Sequence, residues 1–319
     1  MSTRVDTQVD ERRNDSPASD DATQPRFRHG SVIAVVNARA GSVGPDAAEQ
    51  LTEILQTRCA KITVLSPEPD EMDAAMAEAV GRQPDAVIVL GGDGTARMAA
   101  ELAGPKGPPL ILLPGGTMNV LPKALYGQQA WPEAIVAALD EGAVRDLPGA
   151  RAGEHLLFVA GIFGSPARMA GAREAVREGK LFSAVSKFST AWQRAFAHRL
   201  RARRDLSPIA RTEAVAILCP LFSKVEGADK LETAYLDPAG ALSAFRLGIG
   251  ALTGAWRTDP ATDIRACRAT EIIGRGEVPA VLDGEPVTLP ERVRVVAVPV
   301  AARVIALDDE ALASADSAA

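Results

Sequence analysis

From residue 31 the chain reads SVIAVVN, a continuous apolar run of buried-strand length, and then breaks into the small-residue turn ARAGSVG. Next, PDAAEQLTEILQTRC puts Ala47, Leu51, Ile54 and Leu55 on one helical face, and KITVLS has the length of a short strand. DEMDAAMAEAV repeats the helical pattern with Met72, Ala75, Met76, Ala79 and Val80. DAVIVL and PLILLP supply two further apolar runs, with the helical GTARMAAELAG between them. This alternation predicts an open parallel sheet with helices on both faces over residues 30–145.

After about residue 145 the pattern changes to shorter strand-like runs joined by turns: HLLFVAGIF, EAVAILCPL, LETAYLDP, RLGIGAL, ACRATEIIG, VPAVLDGEPVTL and ERVRVVAVPV. A mostly antiparallel β-sandwich is expected here, interrupted by a helical insertion over 167–204. The division is therefore a disordered tail 1–28, an α/β domain 29–146, a β-sandwich domain 147–308 and a second tail 309–319. The first tail is rich in charge, Ser and Pro, and has too little apolar surface to offset its ordering entropy.

The 319 residues are 47% hydrophobic, enough for a large core. Cys59, Cys219 and Cys267 lie far apart, which excludes a disulfide framework and a clustered thiolate site and suits a reducing, cytoplasmic setting. No apolar run approaches the roughly 20 residues of a membrane-spanning helix. A net charge of -6 argues against nucleic acid as partner. His29, His155 and His198 share no metal-ligand or catalytic spacing. Oligomeric state is not legible.

Chemistry concentrates in three stretches. The run DAVIVLGGDGTARM (85–98) ends in Gly91, Gly92, Asp93, Gly94 and Thr95. Bare backbone at the carboxyl end of a buried strand lets phosphate approach N–H groups and the positive end of the next helix. The plainer alternative is a tight turn with Thr95 as the helix N-cap. PLILLPGGTMNV (109–120) repeats the device with Gly115, Gly116, Thr117 and Asn119, so two loops can wrap one polyphosphate. VLDGEPVTL (281–289) reads first as a hairpin turn, but Asp283 and Glu285 are also the acids that a kinase needs for Mg²⁺ and for the proton of an attacking hydroxyl.

Together GGDGT (91–95), PGGTMN (114–119) and DGE (283–285), opened by a strand that ends in Asn37, resemble the diacylglycerol kinase catalytic domain family, which includes bacterial lipid kinases, sphingosine kinases and ceramide kinases. The resemblance runs in order from about residue 31 to 307. It implies a nucleotide-binding α/β domain, a β-sandwich domain and an active site in the cleft between them. It also implies ATP and Mg²⁺ and transfer of the γ-phosphoryl group to a lipid hydroxyl, most directly diacylglycerol giving phosphatidic acid. Ceramide or a sphingoid base is the alternative acceptor; an NAD kinase or a non-enzymatic lipid or nucleotide sensor is more distant. Residue by residue, Asn37, Gly91, Gly92, Asp93, Gly94, Thr95, Gly116, Thr117 and Asn119 would hold the nucleotide, and Glu285 would be the general base. Asp93 would share the catalysis and Asp283 the metal. The chain departs from the family at the first loop, Asn37-Ala38-Arg39-Ala40-Gly41, where Arg39 adds positive charge, and also at Arg97, Met98 and Val120.

Within the insertion, Val185, Phe188, Trp192, Phe196 and Leu200 form one helical stripe, with Lys187, Arg194 and Arg201 on the far side. Arg173 to Arg204 carries nine Lys or Arg against two Glu. A basic face beside an aromatic stripe suits anionic headgroups, with Arg194, Arg201 and Arg204 as the expected contacts, the plainer alternative being a helix packed on the sandwich with a solvated basic face. Residues 182–204 are therefore the expected peripheral attachment to the inner face of a membrane that carries the lipid substrate.

Overall fold

The computed structural model describes residues 30–164, 200–237 and 255–318. The expected tail 1–28, the strand-like run 246–252 and the insertion as far as 199 lie outside them.

The first half forms as its periodicity predicts. Strands β1 (Ser31–Val36), β2 (Lys61–Leu65), β3 (Ala86–Gly91) and β4 (Leu110–Pro114) pair in parallel in the order β2-β1-β3-β4. Residues 86–91 and 110–114 are buried throughout, as strands covered on both faces must be. Helices α1 (Ala47–Gln56), α2 (Met72–Gly81) and α3 (Asp93–Ala103) follow the first three strands, and their buried positions are those of the predicted stripes: Ala47, Leu51 and Leu55 in α1, Met72, Met76, Ala79 and Val80 in α2. Helices α4 (Val120–Tyr126) and α5 (Trp131–Asp140) complete this half. From β1 the chain leaves to β2 on one side and later to β3 on the other, so the loops after β1 and β3 part at their carboxyl ends. A crevice opens at such a switch point.

The second half is an antiparallel sandwich. Strands β5 (Ala143–Ala152), β6 (His155–Leu157), β7 (Ala160–Gly164), β8 (Leu200–Arg204), β9 (Ala210–Thr212), β10 (Ala214–Leu218) and β11 (Leu231–Leu236) come first. They are followed by β12 (Thr262–Cys267), β13 (Ala269–Ile273), β14 (Val278–Leu282), β15 (Glu285–Leu289) and β16 (Arg292–Ala306). One sheet runs β12-β11-β10-β7-β14-β15, and the other continues the parallel sheet as β4-β16-β13-β8-β9. Ala202, Ile272, Val293 and Val295 of one sheet and Phe163, Val215, Ile217 and Leu282 of the other form the core between them.

Strand β16 joins the two halves. Its first part pairs with β13, its last part lies parallel to β4 at Val304, and β5 runs antiparallel along both parts. Leu147, Leu156, Phe158, Ala302, Val304 and Ile305 accordingly pack into the core of the first half, so β5 and β16 carry chain across the boundary expected near residue 146. Tyr126 Oη donates to Ile305 O at 2.6 Å and ties α4 to the end of this strand.

Two expectations are corrected. The segment 309–319 is not simply a tail: Asp309–Ala318 is a helix, α6, whose amides at Ala311 and Leu312 are capped by Asp308. The helical insertion does not extend to 204, because Leu200–Arg204 is strand β8, paired with β13 and β9. Its alternation buries Leu200, Ala202 and Arg204 and exposes Arg201 and Arg203. Arg204 therefore cannot meet a headgroup. Its guanidinium bonds Asp263 Oδ2 at 2.7 Å, the carbonyls of Thr233 and Asp263, and the face of Tyr235, 3.6 Å from the ring centroid. Removing Arg204 takes the donor from the buried Thr233 carbonyl and uncovers Tyr235, while Asp263, half exposed and also paired with Arg265, stays solvated. Arg204→Leu should cost about 1–3 kcal/mol in urea unfolding, whereas Arg201→Gln, on the exposed side of the same strand, should cost less than about 0.5 kcal/mol.

Candidate functional site

The glycine loops after β3 and β4 stack backbone on backbone. A Cβ on Gly116 would meet Gly92 Cα at 2.7 Å, and one on Gly115 would meet Gly91 N at 2.9 Å, so side chains are excluded by space. Gly115 N donates to Gly91 O at 2.8 Å. Gly92 caps α3 in extended conformation, so the helix begins at Asp93 and Thr95 is not its N-cap. The N-terminal amides of α3, which have no partner within the helix, are directed at this loop.

Several predicted residues turn out to build the cradle. Asn37 Oδ1 accepts from Arg39 N at 3.1 Å while its Nδ2 donates to Thr95 Oγ1 at 3.1 Å, linking the loop after β1 to α3. Asn119 is held in left-handed conformation (φ 52°), and both ends of its amide bond the backbone of Gly116, at 2.6 and 2.7 Å. It is buried, so it shapes the loop after β4, the third, from behind. Ser42, absent from the predicted set, donates from its Oγ to Gly116 O at 2.8 Å and from its amide to Gly115 O at 2.9 Å, binding the first loop to the third. Only its place in a turn of small residues hinted at this. Thr117 is exposed and stands near Gly41. Arg39 is also exposed and pairs loosely with Glu68 at 3.8 Å.

The β14–β15 turn has Asp283 and Gly284 at φ 48° and 89°, the two positive values of a two-residue hairpin. Asp283 also serves a second purpose. Its Oδ1 accepts from the amides of Val159 and Ala160 at 2.9 Å and its Oδ2 from Phe158 at 2.7 Å. Burial, the largest influence, pushes its pKa up, while the amides and the charge of Arg97 pull it back. With both oxygens engaged by three amides, Asp283 is a clamp on the β6–β7 junction and not an open metal ligand.

Glu285 follows at the start of β15, and its carboxylate spans to the first domain. Its Oε2 is ion-paired with Arg97 Nη2 on α3, and its Oε1 lies where a Cβ on Gly94 would sit 3.4 Å away. Asp93 Oδ1 accepts from Leu121 N at 3.1 Å, at the start of α4. The candidate acids are thus brought to one place, but Glu285 and Arg97 form a pair that the three motifs alone did not announce.

Two cavities meet at Arg97, and Glu285 lines the larger of them. One of about 780 Å³ is lined by Asn37, Arg39, Gly94, Thr95, Arg97 and Glu285, with Pro69, Met72 and Leu102 on its apolar side. The other, about 450 Å³, is mostly apolar and lies between Met118, Val120, Leu121, Phe158, Ile162 and Val281, reaching Asp93 and Arg97. Arg97 borders both.

Residues 31–151 match the model of the family described as diacylglycerol kinase catalytic domain. Solved structures from Bacillus anthracis str. Sterne share the fold. One named a diacylglycerol kinase has 15% identity and a TM-score of 0.63, covering 88% of this chain and 98% of its own. Two provisionally so named have 19% and 20% identity and TM-scores of 0.68 and 0.63, covering 91% and 88% of this chain and 99% and 98% of theirs. No curated protein matches the chain.

The residues fit a nucleotide that brings its own metal. The cradle is one a Cβ would fill, as phosphate-binding loops require. Among the described residues no group of three His, Cys, Asp or Glu could hold an ion. Mg²⁺ commonly keeps its waters and takes only one or two carboxylates beside substrate phosphates, and Asp93 is the acid available for that. Gly116→Ala should lower unfolding stability by about 1–3 kcal/mol through overpacking against Gly92. Gly44→Ala, with nothing within 4 Å of the new Cβ, should stay within about 0.5 kcal/mol in the same urea titration.

Proposed function

We propose that the protein is an ATP-dependent lipid kinase that phosphorylates the primary hydroxyl of diacylglycerol. The observation that carries this reading is the meeting of two unlike cavities at Arg97: a more polar one that includes Gly94, Thr95 and Glu285, the ion-pair partner of Arg97, and an apolar one that reaches Asp93. Phosphates sit against the backbone of Gly91–Thr95 and Gly115–Thr117, where the start of α3 favours negative charge. Pro69, Met72 and Leu102 offer the apolar surface that a nucleobase needs. The wall of Met118, Val120, Leu121, Phe158, Ile162 and Val281 takes the upper acyl chains, and it suits neither the sugars nor the charge of a dinucleotide acceptor such as NAD. Met118 and Ile162 are 67% and 40% exposed at this wall, and apolar surface left in water there fits contact with a bilayer.

Glu285 accepts the proton of the acceptor hydroxyl, and Asp283 holds the hairpin that aims it. Asp93 borders the apolar cavity at the phosphate loop and is the protein carboxylate for Mg²⁺, which when bound neutralises the charge that develops on the phosphates. Asn37, Asn119 and Ser42 keep the three loops in register. The protein works peripherally, at the inner face of a membrane, and no described helix is long and apolar enough to cross one.

The test is γ-labelled ATP with vesicles that contain diacylglycerol, ceramide, a sphingoid base or monoacylglycerol, and with NAD in solution. Labelled phosphatidic acid is expected; label in NAD alone would overturn the reading. For the division of roles, Glu285→Gln should lower turnover by about 10²- to 10⁴-fold and retain nucleotide binding, as for a lost general base. Asp93→Asn should impair Mg²⁺-dependent nucleotide binding as well as turnover. Calorimetry beside initial rates decides it: near-normal turnover by Glu285→Gln, with a dead Asp93→Asn that binds nucleotide normally, would reverse the assignments.

A further inference from the structure

Arg97 stands on α3 in the first turn after the glycine loop, and its position is unusual in three respects. It borders both cavities, and its Nη2 holds Glu285 Oε2 on the side of the larger one. Its Nε is buried with no hydrogen-bond partner, the oxygen of Glu101 being 3.9 Å away. Its side chain is 22% exposed, and that exposure opens onto the cavities where phosphate and hydroxyl would meet. A guanidinium presents its donors as a planar fork that matches phosphate oxygens, and a buried donor without an acceptor is costly until one arrives.

We infer that Arg97 receives the terminal phosphate of the nucleotide and, in doing so, gives up Glu285. The inference rests on the lipid-kinase reading for the identity of that phosphate. In the unliganded protein the ion pair keeps Glu285 engaged on the phosphate side of the boundary, with Oε2 covered and Oε1 against Gly94. A terminal phosphate carries more charge than a carboxylate and offers more oxygens, so it competes for the guanidinium and supplies the missing acceptor at Nε. Released, Glu285 is free to turn to the acceptor hydroxyl. The hydroxyl proton then passes to Glu285 as the hydroxyl oxygen bonds the terminal phosphorus. The bond from that phosphorus to the bridging oxygen breaks, and the nucleoside diphosphate leaves with the electron pair.

This arrangement couples the two ligands. Arg97 distinguishes triphosphate from diphosphate, and Glu285 competes with the terminal phosphate for Arg97. Removing the competitor should strengthen triphosphate binding, an effect that no purely structural role of either residue produces.

The experiment is calorimetry of the full chain with a non-hydrolysable ATP analogue and with ADP, both with Mg²⁺. Wild type should bind the triphosphate more tightly than ADP. Arg97→Gln should erase about tenfold or more of that preference, the range for a lost charge-assisted hydrogen bond, with ADP affinity unchanged. Arg97→Lys should restore part of it. Glu285→Gln should tighten the triphosphate by a few-fold with ADP unmoved, and the gain should vanish in the double variant. The inference falls if Arg97→Gln keeps the preference, if it weakens ADP equally, or if Glu285→Gln leaves triphosphate affinity unchanged while wild type phosphorylates lipid. If wild type binds neither nucleotide, the lipid-kinase reading falls with it.

Discussion

Strand β16 belongs to both halves of the molecule, and the site depends on that sharing. The proposed reaction needs phosphate loops on a parallel sheet and a base on a different sheet, held close enough to touch. Because β16 pairs with β13 at one end and with β4 at the other, the sandwich cannot shift without breaking ladder hydrogen bonds in the sheet that carries the glycine loops. The β14–β15 hairpin is fixed in turn by Asp283, whose three amide bonds fasten it to the β6–β7 junction. Glu285 then reaches Gly94 and Arg97 as a consequence of sheet geometry.

The same economy is visible in the loops. Two backbones stacked at Gly92 and Gly116 leave no space for side chains, so the polar residues around them act from outside. Asn119 sits behind its loop in left-handed conformation, which Asn tolerates better than most residues. Asn37 joins strand end to helix, and Ser42 joins the first loop to the third. The surface proposed for phosphate is largely main chain, supplemented at the rim by Thr117 and Arg39.

Much of this was legible in the sequence. The apolar runs from Ser31 to Pro114 and the stripes Ala47-Leu51-Leu55 and Met72-Met76-Ala79-Val80 report burial directly, because period and length are enough to tell a covered strand from an amphipathic helix. The Asp-Gly turn was legible as well, since two positive φ values demand such residues. What escaped depends on distant partners. Leu200–Arg204 looks helical beside the residues before it, and only pairing with β13 makes it a strand and buries Arg204 under Tyr235. Asp283 looks like a metal ligand until three amides from residues 158–160 claim it. The Arg97–Glu285 pair joins positions 188 residues apart, and no local pattern encodes it. The sharing of β16 is hidden for the same reason, as its alternation reads as one sandwich strand.

We propose that the two cavities are halves of one reaction site that meets at Arg97, with Glu285 beside it. This is tested most directly by a crystal structure with a non-hydrolysable ATP analogue, Mg²⁺ and a short-chain diacylglycerol. The account predicts phosphates on the backbone of Gly91–Thr95 and Gly115–Thr117, and the lipid hydroxyl within hydrogen-bond reach of Glu285 at the mouth of the apolar cavity. Phosphates bound away from these loops, or a lipid seated with its hydroxyl remote from Glu285, would contradict it.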